Sequence, residues 1–136
     1  MFELSDQPIN QERCRVALIQ PEGGALVEFV GTVRNLNHGR TVTALEYETA
    51  GTLAEKEFAK IEAEARAAFS ILRLSCVHRS GRVLPGEPTV WIGVTARHRD
   101  SAFAACRFAI DELKKRLPIW KKEFYSDHES NWINAP

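Results

Sequence analysis

Two periodicities divide this chain of 136 residues. Where apolar and polar residues alternate, strands are predicted, and where apolar residues return every three or four positions, helices are predicted. Asn10 is placed to cap a short helix over residues 11–19, which Pro21-Glu22-Gly23-Gly24 would end. From Ala25 to Arg34 the chain reads as a strand, with Ala25, Val27, Phe29 and Gly31 on one face and Leu26, Glu28, Val30 and Thr32 on the other. Both faces are largely apolar, so a central place in a sheet is expected. The loop-like Asn35-Leu36-Asn37-His38-Gly39 leads into a second alternating stretch, Val42 to Thr49, and the two are read as a hairpin.

Leu53, Ala54, Phe58, Ile61, Ala65 and Phe69 lie at helical spacing within residues 52–69, with a solvated acidic face opposite. Residues 71–79 and 89–96 read as two strands joined through a Pro85-Gly86 turn. Asp100 or Ser101 is the expected cap of a second long helix, whose core stripe is Phe103, Cys106, Ile110, Leu113 and Leu117. Pro118 ends that helix because it cannot donate to the preceding turn, and residues 119–125 continue extended. Paired strands interrupted by two main helices predict an α+β fold with a mostly antiparallel sheet, in a single domain over residues 1–136.

Composition narrows the function classes. No apolar run approaches the roughly 20 residues of a membrane span, and the first residues lack a basic start followed by an apolar stretch, so a cytoplasmic protein without membrane association is expected. Cys14, Cys76 and Cys106 are too few and too widely spaced for a disulfide framework, and the four histidines are too far apart for a zinc motif. Net charge is zero, which argues against general nucleic-acid binding, yet the charges are segregated. Between Arg97 and Lys122 eight Lys/Arg stand against three acids, and between Glu46 and Glu64 six Glu stand against two Lys. Such asymmetry points to a localised anion site.

Three segments could carry chemistry. In Leu113-Lys114-Lys115-Arg116-Leu117-Pro118-Ile119-Trp120-Lys121-Lys122, Lys114 borders the buried stripe, so its amine is expected to be partly desolvated and suited to proton exchange, with Lys121 folded toward it across the Pro118 bend. The plainer reading is a basic helix end that complements the helix dipole. Thr95 to Phe103 carries Arg97, His98 and Arg99 into a helix start, where backbone N–H groups favour a phosphate or carboxylate, although a surface salt bridge for Arg99 and a capping role for His98 account for them equally. His98-Arg99-Asp100 also spells a kinase triplet, but this short chain has no glycine-rich loop before it. Phe29-Val30-Gly31-Thr32-Val33-Arg34-Asn35 delivers Arg34 to the lip of a polar loop, where a guanidinium can grip an anion.

Taken together and in order, VGTVRNLNHG, VTARHRDSAF and LKKRLPIWKKE closely resemble the molybdopterin synthase large (catalytic) subunit family over about residues 23–132. The resemblance implies an α/β-hammerhead fold and a sulfurtransferase of molybdenum cofactor biosynthesis with no metal or organic cofactor of its own. Its substrate would be cyclic pyranopterin monophosphate. Its sulfur would come from the C-terminal Gly-Gly thiocarboxylate of a small ubiquitin-like sulfur-carrier subunit. Lys114 and Lys121 match the family's catalytic lysines, Arg34, His98 and Arg99 its anion-binding residues, and Phe29 a pocket-lining aromatic. A homodimer within a heterotetramer is implied as well, with pockets that can draw on both large subunits. The competing expectation is a module whose basic 97–122 region, with Trp120 and Phe124, grips RNA or another polyanion on a flat surface. A concave setting for Lys114 separates the two.

Overall fold

The structure, a computed structural model, describes residues 1–135. Two sheets divide the strands. In the first, β1 (Phe2–Ser5) runs parallel to β5 (Arg73–Arg79), and β5, β7 (Pro88–Ala96) and β2 (Ala25–Thr32) follow antiparallel, in the order β1-β5-β7-β2. In the second, β4 (Arg40–Thr49) pairs with β8 (Ile119–Tyr125), while β3 (Leu36–Asn37) and β6 (Gly81–Val83) also pair with β4, and β9 (Ile133–Ala135) lies beside β8. The helices are α1 (Gln11–Val16), α2 (Gly51–Ala68) and α3 (Arg99–Arg116). The architecture is therefore α+β, mostly antiparallel, with two main helices, as the pattern predicts.

The long helices form where the spacing places them. Ala54, Phe58, Ile61 and Ala65 of α2, and Ala102, Cys106, Ala109, Ile110 and Leu113 of α3, are buried. Full burial of a side chain such as Phe58 removes apolar area worth about 1.5–3 kcal/mol. Arg116 fastens the two helices together, with Glu57 and Glu64 of α2 each 2.8 Å from its guanidinium. Helix α3 packs on β2 and β7, while Ile9, Leu18, Val77 and Trp91 form a smaller core on the far side of that sheet. Asn10 caps α1, its side chain accepting from the backbone N–H of Arg13 at 3.0 Å, as expected.

Several expectations are corrected. Among the described residues β2 is an edge strand, not a central one, paired only with β7. Its two apolar faces arise because α3 covers one and the smaller core covers the other. β2 and β4 belong to different sheets, so they form no hairpin; the hairpin present is β3–β4, turned at His38 (φ 51°) and Gly39 (φ 75°). The cap of α3 is His98, whose side chain makes no capping hydrogen bond, rather than Asp100 or Ser101. Leu53 and Phe103 are exposed despite their helical spacing.

Candidate active site

A cavity of about 310 Å³ opens where the end of β2, the last turn of α3 and the inner face of β8 meet. Each wall follows from a local rule. β2 carries Phe29 inward and delivers Arg34 just past its end. Helix α3 presents Lys114 one turn beyond Ile110. Pro118 turns the chain into β8, and the two-residue period of that strand puts Lys121 and Glu123 on the cavity side, while Trp120 is exposed. Thus Phe29, Arg34, Lys114 and Lys121, from three parts of the chain, line one concavity.

One of the cations pairs with a buried carboxylate. Lys121 Nζ lies 3.4 Å from Glu123 Oε1. The other oxygen of Glu123 accepts from Asn37 Nδ2 at 3.0 Å and from the Tyr125 hydroxyl. Burial alone pushes the Glu123 carboxyl up, but the hydrogen bonds from Tyr125 and Asn37 and the charge of Lys121 outweigh it, so the group is held below the usual carboxylate range. A fixed carboxylate so placed orients the Lys121 ammonium. Lys114 is exposed in the single chain, which corrects the expected desolvation, and among the described residues no ion pair engages it. The site therefore presents Arg34 and Lys114 free to meet an anion, with Lys121 aimed by Glu123.

Behind them the wall is neutral. His78 of β5 and Tyr47 of β4 meet edge to face with ring centroids 5.1 Å apart, and Thr89 lies beside them. Burial pushes the His78 imidazole down to about 4, against the smaller effect of its bond to the Arg79 carbonyl. Burial also pushes the Tyr47 phenol up, against a hydrogen bond with Thr89. Neither group carries charge near neutral pH.

His98 and Arg99 do not join this cavity within one chain. Both are exposed at the opposite end of α3, and Arg99 stands about four helical turns from Lys114, roughly 22 Å along the axis. Glu123 lies within the quoted LKKRLPIWKKE yet received no role from the sequence, and His78 was not singled out at all. The available signal for His78 was its place in register with Leu74 and Cys76, a histidine on an apolar strand face. Cys76 and Cys106 are buried and Cys14 is half-buried, all of them free, and burial pushes the Cys106 thiol up to about 11. Such thiols resist ionisation and suit packing rather than nucleophilic work. Among the described residues no group of three His, Cys, Asp or Glu could hold a metal ion, and no helix is long and apolar enough to cross a membrane.

The comparisons with known proteins bear on this cavity. A family model described as MoaE protein matches residues 4–116. The chain is 40% identical over 130 residues to the molybdopterin synthase catalytic subunit of Thermoplasma volcanium, covering 96% of this chain and 95% of that one. It is 48% identical over 106 residues to the protein of the same name in Oryza sativa subsp. indica, covering 78% of this chain; it spans only 55% of the rice protein's own length. Among solved structures, molybdopterin synthase from Staphylococcus aureus superimposes with a TM-score of 0.91 at 36% identity, covering 97% of this chain and 96% of that one.

Proposed function

The chain belongs to the MoaE protein family, and from that premise we propose that it is the catalytic subunit of a molybdopterin synthase. In this reading it transfers sulfur from the C-terminal thiocarboxylate of a small ubiquitin-like carrier to cyclic pyranopterin monophosphate, forming the dithiolene of molybdopterin. The observation that carries the proposal is the convergence of Phe29, Arg34, Lys114 and Lys121 on one cavity. The concave setting of both lysines favours it over a flat polyanion-binding stripe.

The reaction brings two anions, a thiocarboxylate and a phosphate ester, into one small space, so cations must offset their repulsion. Arg34 is assigned to the phosphate, since a guanidinium binds oxyanions bidentately and does not give up its proton. Lys114 is assigned to the reacting centre, where it activates the pterin side chain and stabilises the acyl-thio intermediate. Lys121, oriented by Glu123, moves a proton there. A dithiolene carries two sulfurs, so each product consumes two carriers. No thiol of this chain takes part.

The remaining anion-binding residues, His98 and Arg99, are assigned to the neighbouring copy of a homodimer. The outer edge of β2 has no partner strand among the described residues, and such an edge invites pairing. Antiparallel pairing of β2 with its own copy across a two-fold axis sets the Ala25 end of one strand beside the Thr32 end of the other. Ala25 pairs with Ala96, two residues before His98, and Thr32 lies two residues before Arg34. The helix start of one copy thereby approaches the cavity of the other. One carrier subunit on each copy completes a heterotetramer, and the cytoplasm is the proposed compartment.

The test is reconstitution from the chain, cyclic pyranopterin monophosphate and a thiocarboxylated carrier. Molybdopterin is expected with the intact carrier and none with a carrier lacking its Gly-Gly, because only glycines pass a channel narrow enough to exclude water. Equal product from the truncated carrier, or none from the intact one, contradicts the reading.

A further inference from the structure

Arg79, the last residue of β5, is 4% exposed, and the sulfur-transfer chemistry does not use it. Its guanidinium is poorly matched for a buried charge. Nη1 donates to Glu87 Oε2 at 3.4 Å and Nη2 to the Arg82 carbonyl at 3.0 Å, while Nε is buried with no hydrogen-bond partner among the described residues. Glu87, the carboxylate that faces it, is itself 35% exposed. Taking a guanidinium out of water costs more than one long ion pair returns, so stability alone favours an apolar side chain at this position. What the arginine adds is geometry, because its planar fork holds two chain segments at once.

Both segments lead to the cavity. Leu84-Pro85-Gly86-Glu87 forms a turn, with Gly86 at φ 86° and the Glu87 N–H donating to the Leu84 carbonyl at 3.0 Å. Glu87 Oε2 also accepts from the Leu84 N–H at 3.1 Å, so Arg79 holds the side chain that closes the turn. The turn grips Val33 through both of its backbone groups. The Val33 N–H donates to the Glu87 carbonyl at 3.1 Å, and the Val33 carbonyl accepts from the Gly86 N–H at 2.8 Å. The ladder between β2 and β7 slips between Gly31 and Thr32 and ends there, so past Thr32 the turn takes over from the sheet. Arg34 follows at once, exposed and lining the cavity, and the Asn35 carbonyl beyond it accepts from the Val42 N–H at 2.8 Å. The Arg82 carbonyl belongs to β6, which pairs with Leu45 and Tyr47 of β4, two residues that line the same cavity. We propose that Arg79 is a positioning residue for Arg34: its buried guanidinium clamps the turn at Glu87 and so fixes the lip from which Arg34 reaches the phosphate. The assignment of a phosphate to Arg34 rests on the molybdopterin synthase reading, whereas the clamp does not.

Arg79→Met keeps an apolar stem in the buried space and releases the half-buried Glu87 to water, so the variant is expected to fold. Hydrogen exchange is expected to show the Val33 and Gly86 amides opening about tenfold faster than in wild type, with the Ile92 amide of β7 unchanged. In the reconstituted reaction, Arg79→Met is expected to raise KM for the pterin substrate about tenfold, the scale of misplacing a group that grips substrate. Its kcat and its KM for the carrier are expected to stay near wild type, because Arg34 holds the phosphate equally before and during the transfer. In an Arg34→Ala background the same change is expected to add less than about twofold, since a group already removed cannot be misplaced. An effect of equal size in both backgrounds overturns the proposal, because a merely structural role acts whether or not Arg34 is present. An unmoved pterin KM in a folded Arg79→Met overturns it as well, and so do unmoved Val33 and Gly86 amides. Should Arg79→Met fail to fold, Glu87→Ala, which removes the carboxylate that Arg79 holds, is expected to give the same three results, and the same contrary results overturn the proposal. Absence of molybdopterin with wild-type protein counts against the proposed function, and the clamp is then decided by the amides; normal product with additive KM effects counts against the role of Arg79 alone.

Discussion

At the scale of single residues, His78 links the cavity to stability. Its folded imidazole is held down at about 4 against an ordinary 6.5. Below pH 6.5 the unfolded chain takes up a proton that the folded one refuses, so stability falls as pH drops from 6.5 toward 4 and levels off below. The slope for one such proton is up to about 1.4 kcal/mol per pH unit. Denaturant unfolding at pH 7 and pH 5 should therefore show a pH-dependent loss in the wild type that is smaller in His78→Gln; equal losses would contradict the assignment. Arg34, Lys114 and Lys121 were legible in the sequence because each stands near a strand end or helix end, whereas Phe29, within β2, was singled out only through the family resemblance. Glu123 and His78 were not read, since a carboxylate beside lysines looks like a surface charge and a lone strand histidine looks like core. Only the fold reveals that Glu123 is 5% exposed and faces Lys121.

At the scale of elements, the helices followed from apolar spacing, with Asn10 marking the start of α1 and Pro118 the end of α3, whereas α1 ends at Val16, short of the expected residue 19, and α3 starts before the expected cap. Pairing was harder to read. Alternation reports which faces of a strand are covered, not which edges are joined, so β2 resembled a central strand and β4 its hairpin partner. The close approaches between elements were likewise hidden. Gly93 of β7 is the clearest of them: a Cβ there would collide with the side chains of Trp91 and Leu18, the centre of the smaller core. Gly93→Ala is expected to destabilise the fold by about 1–3 kcal/mol through overpacking. A lowered midpoint in thermal unfolding checks this, and an unchanged midpoint would mean that Leu18 and the Trp91 ring shift without cost.

For the whole molecule, the distance between His98 and Lys114 demands either that the helix start serves no catalytic end or that a second copy supplies it. Light scattering is expected to give about twice the 15.3 kDa of one chain at micromolar concentration without the carrier. A proline at Glu28, on the open edge of β2, is expected to lower that mass, because proline removes a strand donor. A stable 15.3 kDa monomer in the wild type would contradict the shared site. The expectation of a dimer came only through family resemblance, since nothing in the alternation of residues 25–32 distinguishes an edge left for a partner from one covered within the chain. The most direct measurement of the central claim is single-turnover sulfur transfer by Lys114→Ala set beside Lys115→Ala. Lys114 lines the cavity, whereas Lys115 is exposed and paired with Glu112 at 3.3 Å. Lys114→Ala should fold and bind the carrier yet lose at least about 100-fold in rate, while Lys115→Ala stays within about twofold, as exposed ion pairs contribute little. Near-normal transfer by a folded, carrier-binding Lys114→Ala would contradict the assignment of this cavity as the place where sulfur is delivered.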